Sequence, residues 1–148
     1  LFSTMLSFLI FNFPPAKIFM GDSGSVFLGY FFGCMVLYTI MRGEVSIWSW
    51  IIVFGYYISD TTITQITRLI MVRNWYFAHR SHAYQNFARI TNSHLRTNLF
   101  FILYYLIWLL PLLIWSILEP DNAVFISIIA LCPALVFSYK FGPVLSAK

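Results

Sequence analysis

The stretch Gly21-Asp22-Ser23-Gly24-Ser25 sets an acid and a serine between glycines. Two chemistries start from such a stretch: a serine nucleophile, or a carboxylate offered to a metal ion. A nucleophilic serine needs a histidine base within hydrogen-bond reach, and an intramembrane protease would carry that histidine inside an apolar segment. His79, His82 and His94 all fall instead in one basic stretch between apolar segments. The carboxylate is the stronger reading, and intramembrane serine proteolysis the weaker. A second acid opens Asp60-Thr-Thr-Ile-Thr-Gln-Ile-Thr-Arg68, where Asp60, Thr64, Thr67 and Arg68 share one helix face. The third piece is His79-Arg80-Ser81-His82-Ala83-Tyr84-Gln85, followed by Arg89, His94 and Arg96. No Asp or Glu occurs from Thr61 to Leu118, so this stretch is cationic and holds no hard-metal site of its own. His79 and His82 alone do not complete a zinc set. A cationic loop beside two isolated carboxylates suits a diphosphate with its magnesium. The acids hold the metal, and arginine and histidine neutralise phosphate oxygens.

Each residue also has a plainer role. Asp22 or Ser23 could simply cap a helix. Asp60 could pair with an arginine, and the arginines could anchor the chain at a membrane face.

The elements that must position these residues are membrane helices. Sixty per cent of the chain is hydrophobic and only 9% charged, outside the range of soluble domains. Uninterrupted apolar stretches recur between short polar breaks, which predicts an all-α, polytopic transmembrane bundle. The run from Leu1 to about Phe11 is too short to cross alone and reads as the end of a helix begun upstream. Four fuller spans follow, at Ser25–Met41, Ile47–Met71, Asn98–Leu118 and Ala123–Lys140, with Pro111 and Pro133 expected to kink the last two. Residues 1–148 then form a single membrane domain, with loops 12–24 and 72–97 on one face. Eight of the nine basic residues lie on that face, leaving only Arg42 opposite, so the face is cytoplasmic. Membrane lipids are the expected surroundings, and no nucleic-acid partner is expected. Gly21, Ser25, Gly29 and Gly33 form a small-residue stripe that would let another helix approach. Cys34 and Cys132 read as small core residues without a disulfide. A chain opening on Leu1 within an apolar run reads as a piece of a longer protein, the C-terminal half of a larger bundle. A transporter segment or a packing-only fragment is the non-enzymatic alternative. It is disfavoured because the polar residues gather at one face rather than at mid-membrane.

The stretch N-F-P-P-A-K-I-F-M-G-D-S-G-S-V-F-L-G, Asn12 to Gly29, closely resembles the signature of the polyprenyl-phosphate sugar-1-phosphate transferases, glycosyltransferase family 4. Asp60 to Leu69 and Ala78 to Gln85 resemble two further elements of that family, in the same order. The resemblance implies a multi-pass enzyme of the bacterial inner membrane with a cytoplasmic active site. It transfers a sugar 1-phosphate from a UDP-sugar to a polyprenyl phosphate and releases UMP. It also implies roles by position. Asp22 would be catalytic and bind magnesium, with manganese as a substitute, and His82 would be the catalytic histidine. Asn12, His79, Arg80, Asp60 and Arg68 would face the substrates. Two departures stand out. Tyr84 and Gln85 occupy positions where well-known members carry consecutive histidines, which resembles the branch serving O-antigen and related glycans. The family's paired-aspartate loop, which lies upstream, is absent, so this chain carries part of a site.

Overall fold

The computed structural model describes residues 2–71 and 81–143. The described residues are helical and connected by short turns, as composition predicts. The chain divides into two compact units, Leu1–Arg42 and Gly43–Lys148.

The first unit holds α1, Phe2–Asn12, and α2, Gly21–Met41. Helix α1 stops before Pro14 and Pro15, where a residue preceding proline leaves the helical region. The chain then folds back on the end of α1. Lys17 N–H donates to Phe11 O at 2.9 Å, and Asn12 Nδ2 donates to Ile18 O at 2.8 Å. Helix α2 begins at Gly21, four residues before the expected span, because Gly21 adopts φ +63° and turns the chain directly into the helix. No residue of α2 is buried within this unit, and a Cβ added at Gly29 or Gly33 would meet nothing within 4 Å. The small-residue stripe therefore has no partner helix within this unit.

The second unit contains α3, Ile47–Val53; α4, Gly55–Met71; α5, Ala83–Thr91; α6, His94–Tyr104; α7, Leu110–Leu118; and α8, Ala123–Phe141. A π turn at Tyr105–Leu109 joins α6 to α7, so His94–Leu118 is one 25-residue apolar rod. Together with Gly21–Met41 and Pro120–Phe141, it is one of three helices among the described residues long and apolar enough to cross a membrane. The chain is a membrane protein.

The predicted spans need three corrections. Ile47–Met71 is not one uniform helix, because its assignment breaks at Phe54 into α3 and α4. Gly55 follows that break and is buried. A Cβ there would lie 3.4 Å from Leu131 and 3.9 Å from Leu109, ordinary van der Waals contact, so the space would accept alanine. The span predicted from Asn98 starts at His94, because Ser93 caps it by accepting from Arg96 N–H at 3.3 Å. The kink expected at Pro111 appears as the π turn. Proline offers no N–H to Ile107, and the ladder just before it widens, with Leu110 N–H donating to Tyr105 O.

Helix α8 is central: α3, α4, α5 and α7 all pack against it. Its buried face is a run of small residues, Ala123, Ser127, Ala130, Ala134 and Ser138, broken only by Ile126. Small side chains bring helix backbones close, the main source of association where lipid and protein are equally apolar. Pro133 does not interrupt α8. Beside the carbonyl it leaves without an N–H, the Ala130 carbonyl accepts from Tyr104 Oη and Trp108 Nε1, both at 3.3 Å. At the far end, Ser116 Oγ donates to Ser49 Oγ at 3.0 Å and ties α7 to α3. Cys34 and Cys132 are exposed rather than in the core, each on the outward face of its helix.

Candidate active site

Helix α4 presents one polar face. Asp60, Thr64 and Arg68 are buried, while Thr61, Thr62, Gln65 and Ile66 are exposed, as the i, i+4, i+8 spacing requires. Asp60, only 3% exposed, is the hub. Its Oδ1 accepts from Thr64 Oγ1 at 3.3 Å and from Ala83 N–H at 3.0 Å. Its Oδ2 lies 3.4 Å from His82 Nδ1. Ala83 is the first residue of α5, so a carboxylate on one helix satisfies an orphan N–H at the start of another.

His82 is the N-cap of α5, with extended backbone, φ −63° and ψ 147°. Gln85 Oε1 accepts from the His82 N–H at 3.4 Å, the reciprocal half of a capping box. The His82 ring stacks beside Tyr84 with centroids 5.9 Å apart, and Gln85 Nε2 donates to Tyr84 Oη at 3.2 Å. Tyr84 and Gln85, where the resemblance departs from consecutive histidines, therefore act locally on His82.

Helix α5 lies within the stretch expected to be a loop. Asn86 Nδ2 donates to Phe141 O at 2.8 Å and Gly142 O at 3.2 Å, capping the carbonyl end of α8. Arg89 Nη1 donates to Asn86 Oδ1 at 2.9 Å. Phe87 sits among Phe100, Phe101, Phe137 and Phe141 at centroid distances of 5.0 to 6.5 Å. The signals for α5 were the His-x-x-Gln capping pattern and the helical spacing of Ala83, Phe87 and Ile90. The tie through Asn86 crosses 55 residues and has no local signal.

In the first unit, Asp22 lies in the first turn of α2 and is exposed. Its backbone carbonyl accepts from Ser25 Oγ at 3.2 Å. Asn12 is half-buried, its side-chain amide engaged with Ile18 O. The structure thus brings together Asp60 and His82, with Arg68 two turns along the same helix face. Asp22 and Asn12 sit at the two ends of one folded loop. His79 and Arg80 lie outside the described residues.

Among the described residues, no three His, Cys, Asp or Glu side chains gather as a complete metal cage. Magnesium does not require one, since it is commonly held by one or two carboxylates plus phosphate oxygens and water. The exposed Asp22 carboxylate at a helix start fits that mode.

Residues 1–40 match the model of glycosyl transferase family 4. Over those residues the chain is similar to that family. Over 94 residues it is 37% identical to a probable undecaprenyl-phosphate N-acetylglucosaminyl 1-phosphate transferase of Bacillus subtilis, covering 62% of this chain and 26% of that protein. Over 65 residues it is 45% identical to a phospho-N-acetylmuramoyl-pentapeptide-transferase of Clostridium beijerinckii, covering 43% of this chain and 18% of that protein. The chain thus spans about a quarter or less of the curated family 4 relatives it matches. No solved structure matches. Asp22 falls inside the stretch matched to the family 4 model.

Proposed function

We propose that this chain contributes the metal- and phosphate-facing part of a transferase site. That site moves an N-acetylhexosamine 1-phosphate from a UDP-sugar to undecaprenyl phosphate at the cytoplasmic face of a bacterial inner membrane. The observation that carries the reading is Asp22: an exposed carboxylate, in the first turn of a membrane-crossing helix, within the family-matched residues. In this reaction an oxygen of the lipid phosphate bonds to the sugar-bearing phosphorus. The bond from that phosphorus to UMP breaks, and UMP leaves. Both reactants are anions, so the barrier is dominated by charge repulsion. When bound, magnesium would lessen that repulsion, with Asp22 as its protein ligand. Arg68 offers nitrogen donors to phosphate oxygens, and His82 offers a ring nitrogen to the substrates. Asn12 holds the loop before Asp22 in its folded-back form. A membrane-face location lets a soluble nucleotide meet a lipid acceptor.

In the complete protein, Asp22→Asn abolishes magnesium-dependent UMP release from UDP-N-acetylhexosamine with undecaprenyl phosphate, while membrane insertion stays normal. Chelation with EDTA does the same to the unaltered protein, and added magnesium restores it. Ser23→Ala leaves turnover within a few-fold, about 1 kcal/mol or less in barrier. Near-normal turnover of Asp22→Asn would remove this residue from the metal site.

A further inference from the structure

A buried carboxylate with no room for a ligand is poorly placed to bind substrate, and Asp60 is buried to 3% exposure. Among the described residues its contacts are Thr64 on its own helix and, on α5, Ala83 N–H at Oδ1 and His82 Nδ1 opposite Oδ2. We propose that Asp60 is a positioning residue that fixes which nitrogen of His82 carries the proton. A carboxylate only accepts, so the ring nitrogen facing it must be the protonated one. Nδ1 is enclosed and lies 3.4 Å from Oδ2, a long ionic contact short of a well-formed hydrogen bond, whereas the His82 side chain is 23% exposed. Nε2 is therefore the nitrogen able to meet a ligand, and in the neutral ring it presents a lone pair. Three further contacts hold this arrangement. The Ala83 bond pins the backbone next to the histidine, Gln85 holds the His82 N–H, and Tyr84 lies along the ring. These contacts fix the backbone beside the ring and the plane in which the ring lies. Outer partners of this kind orient a working histidine and set its tautomer, in metal sites and in acid–base sites alike. That Nε2 meets the substrates, as an acceptor for a proton or hydrogen bond, rests on the transferase reading. The pairing itself does not.

Asp60→Asn separates the two tasks of the carboxylate. The asparagine Oδ1 still accepts from Ala83 N–H, so α5 keeps its cap, but an amide NH2 now faces Nδ1. In the complete protein, 15N-labelled at histidine and held in lipid nanodiscs, the neutral His82 ring carries its proton on Nδ1. In Asp60→Asn the proton moves to Nε2. His82→Gln identifies the resonance by its disappearance. In turnover, Asp60→Asn lowers kcat roughly 10- to 100-fold with KM for the nucleotide sugar unchanged. The double variant Asp60→Asn/His82→Gln is no slower than His82→Gln alone, because both act through one ring. An unchanged tautomer in Asp60→Asn, or losses that multiply in the double variant, would overturn the proposal. A purely structural Asp60 would lower thermal stability while leaving the 15N pattern as it was, which also overturns it. A wild-type protein inert toward UDP-sugars that still shows the tautomer switch would sink the transferase reading and keep the pairing.

Discussion

Gly21 and Gly29 occupy the same helix, yet their identities answer to different constraints. Gly21 adopts φ +63°, and an added Cβ would meet nothing within 4 Å, so only backbone conformation demands glycine there. An L side chain in that region costs about 1–2 kcal/mol. Gly29 lies within regular helix, again with nothing within 4 Å. Alanine there removes backbone freedom from the unfolded chain and stabilises a helix by about 1 kcal/mol. Thermal unfolding of the detergent-solubilised chain therefore moves in opposite directions, down for Gly21→Ala and up or flat for Gly29→Ala. Equal destabilisation by both would mean that Gly29 is packed against another helix. The requirement at Gly21 also bears on chemistry, because it sets the start of α2 and so places Asp22 in the first turn. Sequence alone marked Gly21 as a turn residue but put the helix start at Ser25, since an apolar pattern cannot show where a backbone dihedral changes sign.

Helix α5 depends on tertiary contacts more than on its own propensity. Nine residues are too few for a stable isolated helix. Its cap comes from Asp60 on α4, its apolar anchor Phe87 enters a cluster of phenylalanines, and Asn86 binds the carbonyls ending α8. Phe87→Ala loses about 3–5 kcal/mol at most, the upper range for a fully enclosed ring, because Phe87 is half-buried. Asn86→Ala leaves the Phe141 carbonyl unsatisfied at about 1–3 kcal/mol. In hydrogen exchange both variants speed the α5 amides first and leave the interior amides of α8 slow. Simultaneous acceleration of α8 would show that α5 is part of the bundle core instead of a helix docked on it. This element was the least legible in the sequence. Its apolar spacing, Ala83, Phe87 and Ile90, is only two turns long inside a basic stretch, and the partners that hold it lie 23 and 55 residues away. The membrane rods were legible because each carries its apolar signal locally, from one end to the other.

The second unit is assembled around one rod. Helix α8 packs against α3, α4, α5 and α7 with alanines and serines along its buried face, so the distance from α4 to α8 is set by how small those side chains are. That stripe escaped the sequence reading because it lies within a uniformly apolar segment, where alanine and serine stand out only after the helix faces are known. The more visible glycine stripe of α2 drew the packing expectation instead. The consequence can be tested at a distance from the candidate site. Ala130 and Ala134 are fully buried, and Val136 on the opposite side of α8 is exposed. Ala134→Leu adds three carbons to a closed contact and costs about 1–3 kcal/mol through displaced backbones. Val136→Leu changes almost nothing. Denaturation by SDS in bicelles reads both. Because α4 carries Asp60 and α5 docks on α8, pushing α8 away also opens the Asp60–His82 and Asn86–Phe141 contacts. Ala134→Leu therefore weakens the fixed tautomer of His82 in the 15N spectrum, though no atom of residue 134 is part of the site. If Ala134→Leu lowers stability but leaves that spectrum untouched, the candidate site is held by α4 and α5 alone, and α8 is scaffold only.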